Sequence, residues 1–186
     1  MATTPWTIGI ISTGYDMRDL RATLAAMLSD EMHFRVLAYE RPSFPVEPGV
    51  HSHEACVQAF HQADIMILII DKRYGGLYLG YGDVSVTVQE YRTAVERGKI
   101  IIPCVRSEAW QDRHSCFNML RELEKNGVAE PRRQISPTYV DKWEVLDFIE
   151  EVRKADKDNF VIIFKDATDL QSQLKGRLFG LSRHLM

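Results

Sequence analysis

Cysteine is scarce. Cys56, Cys104 and Cys116 are an odd set without Cys-x-x-Cys spacing, which argues against a disulfide scaffold and suits a reducing, cytoplasmic setting. Basic charge is not in excess either. Lys and Arg total 23 against 26 Asp and Glu, a net charge of -3, so no overall positive field points to direct nucleic-acid binding or to an anionic membrane. The longest apolar run, Ile65 to Ile70, is far short of the roughly 20 residues that a spanning helix needs. The opening MATTPWTIGIIS has no basic stretch, and no signal peptide is expected from it. Internal repeats, low-complexity tracts and domain-splitting linkers are missing, as are the Gly-x-Gly-x-x-Gly and Gly-Lys-Ser nucleotide fingerprints. His51-x-His53 with Glu54 lacks the further ligands a metal needs, so no metal is expected. Neither a Ser–His–Asp order nor a reactive-cysteine setting can be read from the chain.

What is present is an ordinary globular composition, 45% apolar and 26% charged over 186 residues, enough for one domain with a sizeable core. Trp6–Ser12 reads as a first strand ending in a turn, with a helix from Met17 carrying Leu20, Leu24, Met27 and Leu28 on one stripe. Phe34–Tyr39 reads as a second strand, followed by a proline-rich loop from Arg41 to His51 that could border a pocket. Ser52 opens a helix, and Ala63–Asp71 is a continuously apolar strand of the kind buried on both faces of a parallel sheet. A Gly/Tyr-rich loop, Lys72–Asp83, leads to a helix over Ser85–Arg97 closed by Gly98. The next strand is Ile100–Val105, loosened by Pro103. Further on come a helix over Cys116–Asn126, a loop or edge strand over Gln134–Tyr139, a helix over Trp143–Ala155, a strand over Phe160–Phe164 and a helix over Leu170–Leu181.

This alternation predicts a three-layer, doubly wound, flavodoxin-like parallel sheet in a single 1–186 domain, with a core over 6–105 and C-terminal elements over 115–181. With strand order 2-1-3-4-5, ligands bind at the switch point between the first and third strands, outside their carboxyl ends. The loops there are Ser12–Asp16 and Lys72–Asp83. Glu90 lies in the second turn of the helix after the second loop. In projection Val88, Tyr91 and Val95 face the core, and Glu90 falls on the flank beside Thr87 and Ala94, where it reaches a pocket or sits in water. Ser12, Thr13, Tyr15 and Asp16 form a strand–turn–helix junction whose free N–H groups suit phosphate or ribose hydroxyls; Asp16 could equally cap the helix. Arg73 and Tyr74, beside Gly75-Gly76, could hold a phosphate and stack on a base, or belong to a surface loop.

SHEACVQAFHQADIMILIIDKRYGG, then SVTVQEYRTAVERGKIIIPCV, together with the opening IISTGYDMRDLRATL and the closing FVIIFKDATDLQSQL, resemble the TIR-like domain of unknown function found at the N-termini of many bacterial NACHT and AAA-type ATPases. That family is similar to TIR domains and to nucleoside deoxyribosyltransferases, which use a glutamate on the helix after a central strand to break a ribose–base N-glycosidic bond. The resemblance puts Glu90 at the catalytic position, with Ser85 at the start of its helix. The Trp-Cys pair of the TIR motif is absent, and Ser85 stands one residue closer to the glutamate. Asp16 and Ser12 would then bind ribose hydroxyls and Arg73 a phosphate. The activity implied is cleavage of NAD or a related nucleotide, as substrate rather than as cofactor, in bacterial antiviral defence. The implied partners are a nucleotide ligand and either further copies of the chain or a partner ATPase. The alternative is a non-catalytic TIR-like interaction or nucleotide-sensing module.

Overall fold

A computed structural model describes residues 6–46, 48–80 and 82–185. The first five residues, read above for a signal peptide, lie outside that range, as do Glu47 of the proline-rich loop and Tyr81 of the Gly/Tyr loop.

Five strands form one parallel sheet: β1 (Thr7–Ile11), β2 (Arg35–Leu37), β3 (Ile65–Ile70), β4 (Ile100–Arg106) and β5 (Ile162–Phe164), in the order β2-β1-β3-β4-β5. The connecting helices are α1 (Arg18–Ala26), α2 (Ser52–Ala59), α3 (Val86–Glu96), α4 (Ser107–Lys125) and α5 (Trp143–Arg153), and α6 (Ala167–Leu185) closes the chain. Parallel neighbours need crossover connections, and these cover both faces. On one face Ile8, Ile10, Ile65, Ile67, Ile69, Ile102 and Cys104 pack with Leu24 of α1 and Leu170, Leu174 and Leu178 of α6. On the other, Ile11, Met66, Leu68, Ile70 and Val105 meet Ala59, Val88, Tyr91, Ala109, Cys116 and residues of α5. The architecture is the three-layer, flavodoxin-like one that the alternation predicted, and Cys104 is fully buried in it.

Several boundaries move. α1 opens after Met17, and no side chain caps it, so Asp16 is not the cap. Pro103 does not loosen β4: the ladder runs past it, pairing Leu68 with Pro103 and Ile70 with Val105. α4 starts well before Cys116. Its buried stripe is Ala109, Asp112, Cys116 and Leu120, and the acid on that stripe disguises the periodicity. Asp112 is buried because it accepts hydrogen bonds from the backbone N–H of Thr138, Tyr139 and Val140 and from Thr138 Oγ1, at 2.8–3.1 Å. Burial alone would raise its carboxyl, but those bonds hold it below its ordinary value. Of the two readings of Gln134–Tyr139 the loop holds: Gln134 ends a 3-10 turn, no strand follows it before α5, and residues 138–140 are bends clasped by α4. β5 is only Ile162–Phe164, and Phe160 is 68% exposed.

Candidate functional site

At the carboxyl ends of β1 and β3 lies a cleft of about 590 Å³, lined by the β1–α1 loop, the loop after β3, α2, α3 and residues 141–142. This is the crevice the strand order dictates, and the volume is typical of small-ligand sites. A wider groove of about 750 Å³ lies at the opposite end of the sheet, around Ile100 and the C-termini of α3 and α5. Some of its charges are spent on one another and on the backbone, as in the Arg92–Glu151 pair at 2.7 Å and the Lys99 Nζ bond to the His61 carbonyl.

The floor of the switch-point cleft is built around two buried ionisable groups. Arg21, 1% exposed, donates through Nη1 to the Ile10 carbonyl at 3.1 Å and to Ser12 Oγ at 2.9 Å. Its Nε and Nη2 form a bidentate pair with Glu40, just past β2, and its guanidinium lies 4.7 Å from the Tyr39 ring. One side chain thus ties the ends of β1 and β2 together and fixes the Ser12 hydroxyl at the cleft wall.

The second group is Glu90. It is 8% exposed, and among the described residues nothing hydrogen-bonds its carboxylate. Burial pushes its pKa from 4.5 up to about 8, with Arg21 pulling the other way. The helical projection is corrected here: Val88 and Tyr91 are buried as expected, but Val95 is 47% exposed, and the second buried stripe is Thr87, Glu90 and Ala94. The reason is α2, which packs across α3 and covers the side that would otherwise be a solvated flank. Cys56 of α2 also lines the cleft; burial first, and then Glu90, pushes its thiol up to about 11. It is thus a neutral thiol at physiological pH and not a ready nucleophile.

Ser12, Thr13, Tyr15, Asp16 and Arg73 all line the cleft with Glu90. Tyr15 is 93% exposed, at the mouth. Gly75, at φ +86°, lets the loop after β3 pass against Thr13, where an added Cβ would lie 3.0 Å from its Cγ2. Tyr74 and Ser85 stand behind the wall instead. Tyr74 is a core residue whose hydroxyl donates to the Asp83 carbonyl and accepts the Ser85 N–H. Ser85 is fully buried and caps α3, its Oγ accepting the Val88 N–H at 3.3 Å. Both are spent on positioning the loop and helix that carry Arg73 and Glu90.

No described residue of the proline-rich loop lines the cleft; the residues that flank the loop, Tyr39 on one side and Ser52 and His53 on the other, do. His51 Nδ1 accepts the His53 N–H, and His53 Nδ1 accepts the Leu79 N–H at 2.8 Å, so this pair fastens the Gly/Tyr loop to α2. No group of three or more metal-ligating side chains lies among the described residues, and no helix there is long and apolar enough to cross a membrane.

Sequence reasoning gave no role to Arg21, Glu40, Cys56, Thr87, Asp141 or Lys142. Arg21 and Glu40 carried a usable signal: Arg21 lies in the helix after β1, and Glu40 lies shortly after the carboxyl end of β2. Asp141 and Lys142 gave none, because only tertiary contacts bring them there.

Residues 8–178 match the family described as "Domain of unknown function (DUF4062)", a span reaching from β1 into α6. No curated protein matches the chain.

Proposed function

We propose that this chain, which belongs to the DUF4062 family of domains of unknown function, cleaves the N-glycosidic bond of NAD or a related nucleotide with Glu90 as its catalytic carboxylate. The observation that carries this reading is a buried carboxylate with no hydrogen-bond partner on the floor of a cleft of ligand size. A structural carboxylate at such a position would be expected to have collected partners, as Asp112 has. The resemblance of Glu90 to the catalytic glutamate of TIR domains and nucleoside deoxyribosyltransferases supports the same role. The kinship with domains N-terminal to NACHT and AAA-type ATPases supports a place in antiviral defence.

The chemistry follows from the charge. Departure of a neutral base leaves an oxocarbenium-like centre on the ribose, which a carboxylate alongside stabilises or traps before water completes the hydrolysis. Holding Glu90 ionised against burial costs about 5 kcal/mol for a shift from 4.5 to about 8. A positive charge brought to about 4 Å returns about 4 kcal/mol at an effective dielectric constant of 20. A substrate carrying a cationic nicotinamide-type ring therefore ionises its own catalyst on entry, whereas a neutral ligand leaves Glu90 protonated. Ser12 and Asp16 stand at the cleft wall where ribose hydroxyls need partners.

The test is release of nicotinamide from NAD, followed by chromatography, for the parent and Glu90→Gln at high protein concentration. Release by the parent and loss of at least ~10³-fold in the variant is the expected result. Exposure of Phe160 and Ile163 beside the β5 edge favours a second reading, a self-associating module without turnover. No release by either protein, with both folded and oligomeric by sedimentation, would favour it.

A further inference from the structure

Of the three cations that line the switch-point cleft, Arg21 pairs with Glu40. Arg73 and Lys142 are different: both line the switch-point cleft, both are exposed, and neither has an ion-pair or side-chain hydrogen-bond partner among the described residues. They come from chain segments far apart, yet the fold joins the backbone segments that carry them. Asp141 accepts the Tyr74 N–H on Oδ1 at 3.0 Å and donates its own N–H to the Lys72 carbonyl at 2.9 Å. Arg73 is the residue between those two anchor points, and Lys142 follows Asp141 directly.

The anchoring is rigid on both sides. The Tyr74 hydroxyl holds the Asp83–Ser85 end of the loop. The Tyr139 hydroxyl donates to Asp71 at 2.6 Å, and Asp112 grips the three amides just upstream of Asp141. Lys142 also stands at the open N-terminus of α5, which no side chain caps. Besides Glu90, two carboxylates line the same cleft, Asp141, whose Oδ1 is turned onto the Tyr74 amide, and Asp16 of the β1–α1 loop; neither forms an ion pair with Arg73 or Lys142.

We infer that Arg73 and Lys142 form an anion subsite for the phosphate groups of the substrate, so that the cleft takes phosphorylated nucleotides in preference to nucleosides. The inference rests on the reading of the cleft as an N-glycosidase site for nucleotides and adds the residues that select their phosphates. A guanidinium and an ammonium lining one cleft suit a phosphate or pyrophosphate. The ribose and the scissile bond would then extend inward toward Glu90.

NAD and nicotinamide riboside share the scissile bond and differ in the phosphates. Binding of each is measured calorimetrically to Glu90→Gln, which removes turnover, and to the same protein carrying Arg73→Ala and Lys142→Ala. The expected result is NAD binding at least ~10-fold tighter than nicotinamide riboside, an advantage that shrinks at least ~10-fold in the triple variant and as salt is raised. Thermal melting shows whether the triple variant is folded; if it is not, Lys142→Glu alone is used, with the same expectation. Equal binding of NAD and nicotinamide riboside, no binding of NAD, or an unchanged ratio in the folded variant overturns the inference. Phosphate-dependent binding of NAD with no nicotinamide release by the parent upholds this subsite and sinks the proposed activity. Release from both compounds with no effect of the charge variants does the reverse.

Discussion

Glu90→Gln should make the folded protein more stable at neutral pH while leaving it nearly unchanged in mild acid. A carboxyl whose pKa rises from 4.5 unfolded to about 8 folded means that the folded state holds a proton the unfolded state has released. Stability therefore falls as pH rises from about 5 to about 8, by about 1.4 kcal/mol per pH unit. Integrated, the burden at pH 7 is about 3 kcal/mol, and it levels off near 5 kcal/mol above pH 8. Glutamine is close to the shape of the protonated acid and carries no charge, so it removes the burden without opening a cavity. Other titrating groups, His53 and Asp112 among them, are common to both proteins and cancel in the difference. Urea unfolding at pH 5, 6, 7 and 8 measures it: the two stability curves should nearly coincide at pH 5 and diverge steadily. At pH 7 a gain of 3 kcal/mol corresponds to ~6–12 °C in Tm for a domain of this size. Curves that stay parallel, or a glutamine variant less stable at pH 8, would refute the view that Glu90 is held neutral by burial.

The same proton governs rate: kcat/KM for NAD should rise about tenfold per pH unit and level off near pH 8, whereas a proton-donating Glu90 would give a fall above that pH. Arg21→Met should cost about 3–5 kcal/mol in urea unfolding, because it strands the Glu40 carboxylate beside the Ile10 and Ser12 acceptors; a loss under 1 kcal/mol would show the network to be slack. Asp112→Ala should cost about 3 kcal/mol or more, since it frees three backbone N–H groups at once, and should speed hydrogen exchange at Tyr139 and Val140.

The sheet was legible because its central strands are apolar runs that nothing else in a chain of this length explains, and Ile65–Ile70 is the clearest of them. The switch-point loops followed from strand order alone. The register of α3 was not legible. Val95 and Glu90 trade places relative to a hydropathy reading, because the packing of α2 across α3 decides which flank is covered, and no local pattern encodes that. The first half of α4 was missed for a related reason: Asp112 on its buried stripe is satisfied by amides 26 to 28 residues away. Tyr74 and Ser85 were chosen for their chemistry and turned out to be spent inside the wall.

The clasp of Asp112 on residues 138–140 also divides the site along the chain. Glu90, Arg21 and the Ser12 turn come from the first half of the chain, yet a single domain folds as a unit. The Lys142 side of the cleft cannot form until that residue has been made and α4 has gathered the segment before it. A chain that stops short of Lys142 therefore holds the residues of the cleft floor without the wall that completes the cleft.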